Sequence, residues 1–187
     1  MKFIDLVKQR QSVRRYLPDA VEPEKLDKCL EAARLAPSAS NSQPWSFILV
    51  DDPELKDEVA SLTYDNVISF NKFVKSAPVL VVFVIEKPKV VTRIGGMIKK
   101  MDYPLIDIGI AGEHFCLQAA EEGLGTCMLG WFKARPIKKL LKVPDNRTIG
   151  LIITLGYPPE EYRVREKTRK KFDEVVYYNG YLQRRKP

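Results

Sequence analysis

Apolar residues recur at helical spacing along much of the chain. Phe3, Ile4, Leu6 and Val7 predict a short amphipathic helix over residues 2–10. Pro23 suits a first helical turn, and Leu26, Cys29, Leu30 and Ala33 carry an apolar face on to Ala36, where Pro37 stops it. A third helix follows Pro53 to about Ser61, and Pro136 opens a short one to Leu141. The longest helical pattern covers 105–122. Its small residues Gly109, Ala111 and Gly112 let another backbone approach closely, and Gly123 to Gly125 close it. Apolar β-branched runs mark strands at 46–50 (SFILV), 79–85 (VLVVFVI), 126–129 and 148–155 (TIGLIITL), with a fifth expected at 175–178. Residues 86–104 break the pattern with Lys and Arg, Gly95-Gly96 and two prolines, and read as a flexible or weakly helical lid. With no repeats and no long linker, the reading is one α+β domain over 1–187. It has a central, mostly antiparallel or mixed sheet flanked by helices.

Composition narrows the function classes. Of 187 residues, 45% are hydrophobic, enough to bury a core, which excludes a disordered chain. The longest apolar run, 78–85, is far short of the roughly 18 residues of a spanning helix. The N-terminus lacks a signal-peptide core, so the expected location is the cytoplasm. Cys29, Cys116 and Cys127 stand far apart and His114 is the only histidine, which argues against a zinc site and against a His-dependent hydrolase. The cysteines read as small buried hydrophobes and no metal is expected. The net charge of +7 asks for an anionic partner: nucleic acid, anionic membrane and a phosphate-bearing ligand all fit, as does a merely basic surface. Aromatics do not interleave with the basic residues and no helix-turn-helix pattern appears, so the nucleic-acid reading is the weaker one. Gly123-Leu124-Gly125 follows a helix and precedes a strand, the reverse of a dinucleotide-binding fingerprint.

Four separated pieces carry candidate chemistry. In RQSVRRY (10–16), Arg10, Ser12 and Arg14 alternate and point the same way if the stretch is extended, matching a phosphate. In APSASNSQPW (36–45), hydroxyls and amides sit between two prolines, suited to a planar heterocycle or a polyol. GLGTCMLGW (123–131) offers glycines against which a flat ring can lie. YRVREKTRKK (162–171), rich in Lys and Arg, is either a solvated charge run or an anion clamp approaching from the other side.

In this order the four resemble the nitroreductase family of FMN-dependent NAD(P)H oxidoreductases, in its compact branch. The matching motifs are RxSxRxY from Arg10, PSASNSQPW from Pro37, DxGIA from Asp107 running into GLGTCMLGWF, and LGYP followed by RxxxKxRK from Arg163. The resemblance implies an intertwined homodimer with FMN at the interface, touched by both subunits. Arg10, Ser12 and Arg14 would hold the phosphate and the pyrimidine side. Pro37, Ser38, Ala39, Ser40, Asn41 and Gln43 would come from the partner's loop. Leu129 and Gly130 would lie near flavin N5, and Lys167 and Arg169 would complete the phosphate site. Asn71 or Lys75 would supply a further contact, and residues 172–187 would pack on the partner. NADH or NADPH would deliver hydride to FMN, and a small organic acceptor (nitroaromatic, quinone or similar) would then take it, with no catalytic side chain required. Alternatives within the fold are dehalogenation or flavin transformation. The chain departs from larger members, which carry Glu where Leu129 stands. No nucleic acid and no membrane partner is expected.

Overall fold

The computed structural model describes residues 2–65 and 69–184. Four strands form one antiparallel sheet in the order β1-β2-β4-β3: β1 (Trp45–Val50), β2 (Val79–Ile85), β3 (Gly125–Leu129) and β4 (Thr148–Gly156). The central strands β2 and β4 are apolar on both faces because both faces are covered. Val79, Val81 and Phe83 join one core cluster, while Leu80, Val82 and Val84 join the other. Along β4 the two-residue alternation flips at Gly150: Leu151, Ile153 and Leu155 face the first cluster, yet Ile149 faces the second. A bulge there lets Phe83 pair with Leu151 and Val84 with Ile149. A Cβ on Gly150 would stand 3.1 Å from Ile85 and 3.2 Å from Ile108, so the bulge runs under close cover.

The first cluster is roofed by α2 (Pro23–Arg34) and α5 (Tyr103–Glu121). Buried Ile108, Ala111, Gly112, Phe115, Cys116 and Ala119 follow the helical repeat of α5, and Gly112 brings its backbone within reach of Leu151 and Met128. Phe83 meets Phe115 edge-on with ring centroids 6.1 Å apart. The second cluster is covered by α3 (Pro53–Ser61), a 3₁₀ turn at Lys72–Ser76 and α6 (Ala134–Leu140). Asp52 caps α3, its carboxylate accepting the Leu55 N–H at 2.8 Å, with Pro53 in the first turn. The remaining helices are α1 (Phe3–Gln9), α4 (Val90–Lys99) and a single turn, α7 (Phe172–Val175).

One expectation is corrected. No strand forms at 175–178: Phe172–Val175 closes a helical turn, with the Val176 N–H on the Phe172 carbonyl, and among the described residues no strand pairs with it. Residues 86–104, expected to be flexible or weakly helical, contain the helix α4, which runs through Gly95-Gly96 and ends at left-handed Lys100. The last three residues of the expected C-terminal extension lie outside the described residues.

Candidate functional site

The segment after α1 runs alongside β3. Ser12 bridges Thr126 and the Val13 N–H donates to the Thr126 carbonyl at 2.8 Å. Gly125 makes this contact close, since a Cβ there would lie 2.7 Å from Val13 Cγ2. Tyr16 pins the far end, its hydroxyl donating to the Val13 carbonyl (2.7 Å) and hydrogen-bonded to Thr154 Oγ1 (2.6 Å). Burial raises the Tyr16 pKa well above its ordinary value, so the phenol stays protonated and able to donate.

The basic tail docks onto this segment. Gln11 donates to the Arg163 carbonyl (3.2 Å) and accepts from the Arg165 N–H (3.1 Å), while the Arg165 guanidinium donates to the Ser12 carbonyl (2.7 Å). Tyr162 accepts the Arg14 N–H at 3.1 Å. Lys167 donates to the carbonyls of Val7 (2.9 Å) and Arg10, which lie at the C-terminal end of α1. The first and fourth sequence motifs thus form the two walls of one cleft of about 280 Å³, lined by Arg10, Ser12, Arg14, Arg165, Lys167 and Arg169 among others. Partial enclosure, then the guanidiniums of Arg10 and Arg169, hold the Lys167 pKa below its usual range. Five cations, hydroxyls from Ser12 and Thr168 and a single carboxylate, Glu166, give a donor set suited to a phosphate. Arg10 is steered from behind by Glu113 on α5, 3.1 Å from its Nε.

Arg165 and Gln11 are absent from the sequence-derived site. The signal for Arg165 was available: Arg163, Arg165, Lys167 and Arg169 alternate, the pattern by which Arg10, Ser12 and Arg14 were recognised.

The other predicted residues fall elsewhere in the chain. Leu129 is buried at the end of β3, and Gly130 faces open space. Buried Asn71 fixes this exit by donating to the carbonyls of Thr63 (3.0 Å) and Trp131 (3.1 Å). Lys75 points into a different pocket, with Tyr16, Lys56 and Pro78, and its carbonyl accepts from the Lys56 ammonium at 2.9 Å. Of the two alternatives, Asn71 binds the residue that follows Gly130, through the Trp131 carbonyl. Pro37, Ser38, Ala39, Ser40, Asn41 and Gln43 form a tight loop over the start of α5 and line no part of the cationic cleft. Within the loop, Ser38 Oγ accepts the Gln43 N–H (2.8 Å) and the Gln43 amide donates to Asn41 (2.9 Å).

The lone histidine is tied up structurally, with His114 Nδ1 3.3 Å from the Ala32 carbonyl across the α2–α5 contact. All three cysteines are free and buried, and burial pushes the thiols of Cys29 and Cys116 up to about 12. Among the described residues no cluster of His, Cys, Asp or Glu is arranged to hold a metal, and no helix is long and apolar enough to cross a membrane.

A four-stranded antiparallel sheet flanked by helices, with a cationic cleft where the 10–16 segment meets the basic tail, defines an α+β fold. The Nitroreductase family model matches residues 7–72 and 68–157, and the chain belongs to that family. A putative NADH dehydrogenase/NAD(P)H nitroreductase from Archaeoglobus fulgidus is 30% identical over 164 residues, covering 84% of this chain and 86% of the relative. An iodotyrosine deiodinase from Thermotoga neapolitana is 28% identical over 181 residues, covering 86% and 91%. Among solved structures, an FMN-dependent nitroreductase from Clostridium difficile R20291 is 31% identical, with a TM-score of 0.78 over 96% of this chain and 100% of that one.

Proposed function

We propose that the protein is an FMN-dependent NAD(P)H oxidoreductase that works as a homodimer. The observation that carries this reading is the cationic cleft, where two segments some 150 residues apart in sequence are stitched together around five positive side chains. The donor set fits a flavin phosphate. Arg10, Arg14, Arg165 and Arg169 offer guanidinium forks and Ser12 a hydroxyl, while Lys167 holds the wall by binding main-chain carbonyls. The open space over Gly130 leaves room for a flat ring beside β3. FMN, when bound, supplies the two-electron chemistry, accepting hydride from NADH or NADPH and passing it to a small organic acceptor. The chain's own part is to bind, orient and screen, in keeping with a histidine already engaged by Ala32.

The homodimer reading rests on exposed apolar surface. Phe3 and Ile4 on α1, Leu105 and Ile106 on α5, and Phe172, Val175, Tyr181 and Leu182 in the tail are all solvent-facing in the single chain. An isologous interface would cover such side chains. It also gives a use to the 38–43 loop, whose exposed amides lie away from their own chain's cleft and would serve the partner's. Val91, Met97 and Ile98 on α4 are at least 71% exposed and are assigned to covering the acceptor position.

A second reading, reductive removal of a halogen from an aromatic substrate, is supported by relatives named iodotyrosine deiodinase, one of them 28% identical. Reconstitution with FMN followed by NAD(P)H oxidation, with a nitroaromatic, a quinone and a halogenated phenol as acceptors, separates the two. Turnover of the nitroaromatic or quinone alone supports the first reading, and halide release supports the second. Failure to take up FMN overturns both.

A further inference from the structure

The 38–43 loop is held in a conformation its sequence does not favour. Ser40 (φ 52°), Asn41 (φ 51°) and Gln43 (φ 47°) are non-glycine residues in the left-handed region. Each is a strained conformation for a side-chain-bearing residue, and such strain persists only where the surroundings over-determine it. The surroundings converge on Ala39. Its N–H donates to Asp107 Oδ1 on α5 (3.1 Å), and its carbonyl accepts from Thr92 Oγ1 on α4 (3.2 Å). Both side chains are buried, Asp107 at 2% exposure and Thr92 at 3%. One residue is therefore pinched through both main-chain groups by two helices. Two further contacts come from the segment leading into α4: the Lys89 N–H donates to Ser42 Oγ (2.7 Å) and the Lys89 ammonium reaches the Ser40 carbonyl (3.4 Å).

Asp107 is an expensive way to hold one N–H. Its second oxygen, Oδ2, is buried and meets no protein donor. A half-satisfied buried carboxylate carries a desolvation cost that an apolar residue would avoid. Among the described residues no ion pair compensates it. What it does provide is a fixed acceptor at the base of the strained loop.

We infer that Asp107 and Thr92 are positioning residues that form a latch on Ala39, setting the loop's geometry and coupling it to the placement of α4. Resting on the proposed FMN function, the latch makes cofactor retention depend on two residues that line no part of the cationic cleft. It also means that displacing α4 slackens the loop, so the acceptor cover and the cofactor loop move together.

The test compares Asp107→Ala, Asp107→Asn, Thr92→Val and Thr92→Ser with the unaltered full chain, by two readouts. The first is amide hydrogen exchange of the peptide spanning residues 37–45 in protein without added flavin. Asp107→Ala and Thr92→Val should each speed it at least about fivefold, the equivalent of one ~1 kcal/mol hydrogen bond. Asp107→Asn keeps an acceptor oxygen and Thr92→Ser keeps the hydroxyl, so both should stay near the unaltered rate. The second readout is the FMN Kd, which should rise at least about fivefold in Asp107→Ala and Thr92→Val and recover in the conservative pair. Combining the two disruptive changes should cost less than the product of their separate effects, because both release the same residue. If Asp107→Ala fails to fold, Thr92→Val against Thr92→Ser still decides. Unchanged exchange in Thr92→Val overturns the latch whatever FMN does. If the unaltered chain takes up no FMN, the functional reading falls while the exchange arm still judges the latch.

Discussion

Lys167 spends its ammonium on the main chain: it donates to the carbonyl of Arg10, and to that of Val7 at 2.9 Å, so the basic tail ends α1 as it enters the cleft. Arg169, two residues further along the tail, donates to the neighbouring Thr168 carbonyl at 2.8 Å. The two cations therefore have different jobs. Lys167→Ala should destabilise the protein without cofactor by about 1–3 kcal/mol, because two carbonyls lose a charged donor. Arg169→Ala should leave that stability within about 0.5 kcal/mol but weaken FMN by about 1.5–3 kcal/mol, roughly 10- to 150-fold in Kd. Urea unfolding without flavin, paired with FMN titration, separates them.

Gly125 and Gly156 pair across β3 and β4, and both are crowded, the first by Val13 and the second by Pro78, whose Cδ a Cβ would approach to 2.5 Å. Gly125→Ala should push the 10–16 segment off β3, costing about 1–3 kcal/mol by overpacking and lowering FMN affinity as well. Enlarging Gly130, which faces open space, should leave stability unchanged. Thermal unfolding of the two variants without flavin checks the contrast.

Cys29 and Cys116, with thiols pushed up to about 12 by burial, should resist alkylation at mildly alkaline pH in the native protein. Cys127 is also raised, chiefly by burial, although Arg14, Ser12, Arg165 and Arg10 pull it partly back. Mass spectrometry after brief iodoacetamide treatment should find all three unmodified when native and modified in denaturant.

Burial raises the Asp107 pKa above its ordinary 3.8, and the Ala39 N–H offsets only part of this. A carboxyl that holds its proton more tightly when folded binds more protons in the native state. Its contribution to stability is therefore full below the unfolded pKa and falls as pH rises through the window up to the folded one. Asp107→Asn has no such dependence. Relative to the unaltered chain, the variant should gain stability as pH is raised from the acid limit of folding to neutrality, as followed by urea midpoints at each pH.

The sheet was legible because β2 and β4 are apolar runs rich in β-branched residues, and α2 and α5 because Leu26, Cys29 and Ala33, and Ile108, Ala111, Phe115 and Ala119, keep helical spacing. The 175–178 strand was misread because Val175 to Tyr178 has strand-like composition, and composition alone does not supply a neighbouring strand to pair with. The two walls of the cleft were recognisable as alternating basic residues, but their union depends on Gln11 and Arg165 side chains reaching main-chain groups some 150 residues away. Lys167 reads in sequence as a ligand for an anion; the structure adds that two of its three N–H groups go to main-chain carbonyls. The pinch on Ala39 left no mark in sequence, since Asp107 and Thr92 lie in separate helices and act on a main-chain group any residue would offer.

The central claim is that the cleft between the 10–16 and 163–169 segments holds the phosphate of FMN. Equilibrium dialysis of the purified full chain against FMN, with the visible flavin spectrum followed on anaerobic addition of NADH and then NADPH, tests it most directly. The account predicts one FMN per chain, bound roughly 10- to 150-fold more weakly in Arg10→Ala and Arg169→Ala, and bleaching of the bound flavin by at least one of the two nucleotides. A folded protein that retains no FMN, or one whose FMN affinity in both variants is unchanged from the unaltered chain, would contradict it.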